Sequence, residues 1–215
     1  ATAENFVGCT LELGGKSPNI LLDDVNLEEA VTRGVMHMYN NTGQSCNAPS
    51  RMLIPRAQIA AAEAIAAKVT ESVVVGDPKA EATTMGPVVS EVQFNKIQGL
   101  IQAGIDEGAT LVCGGAGRPD GLEHGYFIKP TVFSNVSNDM TVAKEEIFGP
   151  VLVMMPYDSI EEAISVANDT PYGLAGYVQG NNMDAVMNVA SQIRAGNINI
   201  NGGSGDLHTP FGGYK

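Results

Sequence analysis

The chain has 215 residues, and its 12 Lys and Arg stand against 24 Asp and Glu, a formal charge of −12. Such an acidic surface repels phosphate backbones and anionic lipid, which argues against nucleic-acid and membrane-surface roles. With 44% hydrophobic residues and abundant Gly, the composition suits one α/β domain with many tight loops.

The elements alternate along the chain. Residues 17–22 read as a strand led by Pro18. Asn26, with Glu29 three positions on, marks a helix N-terminus, and Leu27, Ala30, Val31, Gly34, Val35 and Met38 follow at helical spacing. Residues 52–54 suit a strand, the Ala-rich stretch 58–70 a helix, and 73–75 a further apolar run. Ser90 with Gln93 opens a helix that buries Phe94, Ile97 and Ile101 and stops at Gly108. Strands are expected at 109–113, 126–133, 151–157, 174–179 and 197–201. Helices are expected from a cap at Asp158 and Glu161 through Ala167, and over 183–193. Such alternation implies an open, largely parallel twisted sheet with helices on both faces.

Three cysteines at unrelated spacings form neither a disulfide framework nor a zinc pattern, and the three His make no ligand pair. No metal site is expected, and a reducing cytoplasm is the expected compartment. No apolar run approaches the ~18–20 residues of a membrane span. Cys9 and Cys113 sit in apolar, strand-like runs and are expected in the core. Cys46 differs, because it lies in the polar run G-Q-S-C-N-A-P-S, where a thiol can meet a substrate. Arg51 is the nearest cation in sequence.

Two further segments could carry chemistry. In L-E-L-G-G-K-S-P, Glu12 stands between leucines before a double glycine. Apolar company raises a carboxyl pKa toward that of a general base, and Gly14 and Gly15 allow close backbone approach. A glycine turn with a solvated Glu12 is the plainer alternative. In K-E-E-I-F-G-P-V two carboxylates, Glu145 and Glu146, stand beside Phe148 and a Gly-Pro turn. A carboxylate can accept hydrogen bonds from ribose hydroxyls and a Phe can pack on a flat ring, or the segment is an ordinary loop with an anchoring Phe. The Gly-rich runs near 114–119 and 201–206 lack the spacing or following helix of a dinucleotide fingerprint.

Taken in order, E-L-G-G-K-S-P, G-Q-S-C (Cys46 lying 34 positions after Glu12), E-E-I-F-G-P-V, N-D-T-P-Y-G-L-A-G, G-N-I-N-I-N and P-F-G-G-Y-K resemble the catalytic domain of the NAD(P)-dependent aldehyde dehydrogenase superfamily over essentially the whole chain. The resemblance implies that Cys46 is the nucleophile, attacking the aldehyde to give a thiohemiacetal and, after hydride transfer, a thioester. Glu12 then activates the hydrolytic water. The Cys46 N–H supplies half of an oxyanion hole whose other donor is an Asn of an earlier domain. Glu146 bonds the nicotinamide ribose beside Phe148, the Leu13 carbonyl reaches the nicotinamide amide, and Gln93 and Lys96 match positions that can meet the cofactor ribose. The cofactor is NAD or NADP, the substrate an aldehyde of the small-molecule class, and the full-length protein a homodimer or homotetramer. Residues 1–215 are then a catalytic domain excised from a longer chain, with the cofactor-binding domain elsewhere and poor turnover on its own. Two alternatives remain at this stage, a cofactor-independent thiol esterase and an inactive structural remnant. The segment 202–208 resembles the loop lining the substrate tunnel, and without an aromatic it disfavours a tight cage for a quaternary ammonium aldehyde.

Overall fold

A computed structural model of the chain describes residues 3–203 and 208–215. Seven strands form one sheet: β1 (Pro18–Leu21), β2 (Arg51–Pro55), β3 (Thr110–Cys113), β4 (Thr131–Ser134), β5 (Val151–Tyr157), β6 (Ala175–Gln179) and β7 (Asn197–Ile200). Their order is β3-β4-β5-β2-β1-β6-β7. Every neighbouring pair is parallel except the edge pair β3 and β4.

Alternation of side chains sends each central strand into two cores. Leu21, Met52, Ile54, Leu152 and Met154 face α1 (Leu27–Tyr39) and α2 (Ile59–Glu71). Ile20, Leu53, Val153, Met155 and Val178 face the opposite layer. That layer holds α3 (Glu91–Asp106), the short α4 (Thr141–Lys144), α5 (Ile160–Asn168) and α6 (Met183–Ala190). Burial on both faces explains why the inner strands read as continuous apolar runs. Gly34 lets α1 sit low on the sheet, since a Cβ there would overlap the Met52 side chain.

Local chemistry sets most of the helix starts. Asn26 Oδ1 accepts from Glu29 N, and Ser90 Oγ accepts from Gln93 N. Gly108, at φ +88°, turns the chain out of α3. The cap of α5 falls one residue later than the sequence suggests. Ser159 Oγ accepts from Glu162 N while Glu162 Oε2 accepts from Asp158 N. Asp158 instead forms a two-bonded ion pair with Arg56 at 2.6 and 2.8 Å. Both D-x-x-E and S-x-x-E fit a capping box, and the ion pair decides which one caps.

Other boundaries move as well. Residues 126–130 form no strand, and the 73–75 run contributes only a bridge from Val75 to Met85. The α6 helix ends at Ala190. The strand-like opening is a short 3-10 turn at Ala3–Asn5 followed by irregular chain up to β1. Cys9 is therefore exposed, not in the core, because no neighbouring strand covers its segment, and Cys113 is half-buried on the edge strand β3.

Candidate active site

Because β1, β2 and β5 run parallel, the segments preceding them meet at one edge of the sheet. Those segments are 12–17, 46–50 and 146–150, and they hold five of the seven site residues expected from sequence. Open α/β sheets usually bind ligands beyond the carboxyl ends of their strands. Here the convergence lies at the amino ends.

Gly15 is the point where the three segments touch. Its N–H donates to Glu146 Oε1 at 2.9 Å. A Cβ on Gly15 would overlap the Cys46 carbonyl oxygen, and a Cβ on Gly14 would stand 2.5 Å from Glu146 Oε2. The double glycine is thus a strap thin enough to let the Cys46 loop and the Glu146 carboxylate approach from two sides.

The Cys46 loop starts from an abrupt helix end. Asn41, Thr42 and Gly43 all have positive φ, at 52°, 58° and 70°. Gly43 packs so closely on Gly149 that a side chain would clash with its backbone. Asn41 and Gln44 exchange side-chain bonds with each other's carbonyls, and Gln44 Oε1 accepts from Val89 N. Tyr177 on β6 donates its hydroxyl to the Asn47 carbonyl at 2.8 Å. Burial, and secondarily the charge of a Cys46 thiolate, push that hydroxyl up to about 12, so it stays a donor. Cys46 itself is half-exposed, and among the described residues its N–H has no acceptor.

Glu146 and Phe148 occupy the third segment, both half-buried. Phe148 has φ 56°, a left-handed conformation costing roughly 1–2 kcal/mol in a residue with a Cβ. From α3, Gln93 Nε2 donates to the carbonyls of both Ile147 and Phe148, and Lys96 Nζ donates to the Glu146 carbonyl. Gln93 and Lys96 thus brace the strained loop. Among the described residues Glu146 Oε2 takes no hydrogen bond.

Glu12 and Leu13 lie on the irregular strap before β1. The apolar company expected around Glu12 is missing: Leu11 and Leu13 are 71% and 76% exposed, and the carboxylate itself is exposed, because no strand or helix packs on this stretch. Glu12 Oε1 lies beside Gly212 of the P-F-G-G-Y-K segment. The Leu13 carbonyl has no partner among the described residues.

Two cations gave little sequence signal. Arg51 is fully buried, and its guanidinium donates to the carbonyls of Lys16, Val166 and Ala167 and to Asn138 Oδ1. Those bonds tie the strap to α5, so Arg51 serves the framework. Lys16 is 1% exposed, and burial, followed by the Arg51 charge, lowers its amine to about 7. A cleft of about 640 Å³ opens beside the Cys46 loop, lined by Asn47, Tyr177, His37, Arg33 and Gln179. Gly202 and Gly203 also line it, while 204–207 of the expected tunnel loop lie outside the described residues.

Comparison with known proteins gives consistent matches. The family model described as "Aldehyde dehydrogenase family" matches residues 1–215. A 3-succinoylsemialdehyde-pyridine dehydrogenase of a Pseudomonas species is 53% identical over all 215 residues, which cover 45% of that protein. Aldehyde dehydrogenase C of Pseudomonas syringae, crystallised as a cysteine-to-alanine variant with NAD+ and octanal, superposes with a TM-score of 0.97 at 52% identity. That match covers 99% of this chain and 44% of the other. A Mycobacterium tuberculosis aldehyde dehydrogenase with NAD+ superposes at 0.95 and 47% identity, covering 100% of this chain and 44% of the other. The chain therefore spans a little under half the length of the relatives it matches.

Proposed function

Since the chain belongs to the aldehyde dehydrogenase family, we propose that it is the catalytic domain of a longer protein and performs the covalent steps of NAD(P)-dependent aldehyde oxidation. The observation that carries this reading is Gly15, which lies against the Cys46 carbonyl and bonds Glu146 at once.

The chemistry follows from the placement. Cys46 Sγ, as thiolate, attacks the aldehyde carbon and forms a C–S bond. The Cys46 N–H receives the resulting oxyanion. Loss of a hydride, with its electron pair, from that carbon leaves a thioester on Sγ. Glu12 takes a proton from water, whose oxygen attacks the thioester carbon. The C–S bond then breaks, releasing the carboxylic acid and restoring the thiolate.

When bound, the nicotinamide cofactor accepts the hydride. The residues present fit it. Glu146 has one oxygen fixed by Gly15 and one that takes no hydrogen bond among the described residues, which leaves it open to a ribose hydroxyl. Phe148 stands beside it, and the Leu13 carbonyl is open to an amide N–H. Gln93 and Lys96 act chiefly by holding the Glu146–Phe148 backbone, with Lys96 exposed enough to reach a ribose. The NAD+ carried by two solved relatives favours NAD over NADP. Assembly as a homodimer or homotetramer accords with family membership. No described helix is long and apolar enough to cross a membrane, and three free cysteines suit a cytoplasmic setting.

The test is aldehyde-dependent NADH formation in the protein that carries this chain. Cys46→Ser should abolish it. Glu12→Gln should permit a single burst and then stall as the thioester accumulates. Unchanged steady turnover in either variant contradicts the assignment.

A further inference from the structure

Among the described residues four buried side-chain atoms have no hydrogen-bond partner: Lys16 Nζ, Ser17 Oγ, Ser50 Oγ and Gln58 Oε1. Three of them belong to residues lining two small cavities at the amino edge of the sheet. One cavity, of about 10 Å³, is lined by Lys16, Ser17, Thr170, Tyr172 and Arg194. The other, also about 10 Å³, is lined by Ser50, Gly15, Ser45, Ala48, Glu146 and Phe148. Lys16, Ser17 and Ser50 are all more than nine-tenths buried.

We propose that each cavity is a binding site for one internal water molecule, the first built by Lys16 Nζ and Ser17 Oγ and the second by Ser50 Oγ together with the polar groups of Ser45 and Glu146 that share its lining. A water needs roughly 10–15 Å³ of probe-occupied space and two to four polar partners, and buried waters characteristically serve polar groups that protein leaves unsatisfied. Leaving a hydroxyl dry and unbonded costs about 1–3 kcal/mol, and an unpaired ammonium costs more. No carboxylate lies within ion-pair distance of Lys16 among the described residues, and the charge acting on it most strongly is the like charge of Arg51, partly opposed by Glu146 and Glu145. Water relieves that burden in the available volume. Lowered to about 7, the Lys16 amine can shed its proton near neutrality and then both donate to and accept from water.

The two sites stand along the same strap. The Lys16 site follows Gly15 in the chain and faces the 170–174 loop, and the Ser50 site lies under the Cys46 loop against Glu146. The second water would lie between the Cys46 loop, Gly15 and the Glu146–Phe148 segment, and so help to hold that loop and Glu146 at a fixed separation. This inference rests on packing and holds whether or not the proposed chemistry does.

A high-resolution crystal structure of the chain, with oxygen-17 relaxation dispersion on the wild type, Ser50→Ala and Lys16→Met, tests it. Expected are one ordered solvent peak within hydrogen-bond distance of Ser50 Oγ and another shared by Lys16 Nζ and Ser17 Oγ. Each substitution should remove one long-lived water. Cavities without solvent density, direct protein acceptors on those atoms, or an anomalous peak at either site after bromide soaking would overturn the proposal. Should a variant fail to fold, the wild-type density decides alone.

Discussion

The two ends of the parallel strands are built differently. At the carboxyl ends, Ser159 and Asn182 cap α5 and α6, Arg56 pairs with Asp158, and both oxygens of Asp24 accept from the 181–182 backbone. Tyr157 donates to the Leu21 carbonyl, and among the described residues Gln58 Oε1 is the one buried side-chain atom left over there. At the amino ends, Phe148 is held in a left-handed conformation and, among the described residues, three buried polar atoms lack partners. Lys16 sits buried beside Arg51, and a thiol is left half-exposed. Left-handed residues occur at the carboxyl ends too, but there they are Asn135 and Asn201, a type that tolerates the conformation, whereas the amino edge carries the strained Phe148 and the residues proposed to react. Strain and unsatisfied polarity persist only where surrounding structure enforces them, and they gather at functional sites.

Substitutions on the amino edge should therefore cost more than those opposite. Cys46→Ser should lower aldehyde oxidation by on the order of 10⁴-fold or more, measured as NADH formation, with little change in the urea midpoint. Next comes a pH effect from Lys16, whose folded amine is lowered to about 7 from 10.5. Between those values the unfolded chain binds a proton that the folded chain does not, so stability rises with pH, by at most ~1.4 kcal/mol per pH unit. Below about 7 the penalty is fully present. Urea titrations across this window should show a flatter rise in Lys16→Met. Arg51→Met leaves the carbonyls of Lys16, Val166 and Ala167 without their donor and should cost about 3 kcal/mol by denaturant unfolding. Gly15→Ala forces the strap off the Cys46 carbonyl and should cost about 1–3 kcal/mol, with a larger loss of activity than Gly34→Ala. At the carboxyl ends, Ser159→Ala removes one cap and should cost about 1 kcal/mol without affecting catalysis.

Features governed by short-range chemistry were legible in the sequence. Asn26 and Ser90 announce their helices, and strand–helix alternation announces the sheet. Cys46, Glu146 and Phe148 stood out because polar or charged residues beside glycines mark loops, and the order of the motifs made the roles specific. Cys9 misled because an apolar run reads as a buried strand only if another strand covers it, and pairing partners are not written locally. Lys16 and Arg51 gave no sign of burial, since a cation in a polar loop is ordinarily solvated. Their burial follows from the closure of three distant segments around Gly15. Gln93 and Lys96 carry a similar lesson: the resemblance marks them for the cofactor, while the side-chain bonds show them bracing the loop that would hold it.

The central claim, that Cys46 is the nucleophile, has a control within the chain. Cys9 is exposed, Cys46 is half-exposed and Cys113 is half-buried with its thiol pushed up by burial. Treating the chain with an activated ester and mapping acylated peptides by mass spectrometry compares them directly. The account predicts that acyl groups collect on Cys46 ahead of the more accessible Cys9. Acylation that follows exposure, with Cys9 first and Cys46 trailing, would contradict it.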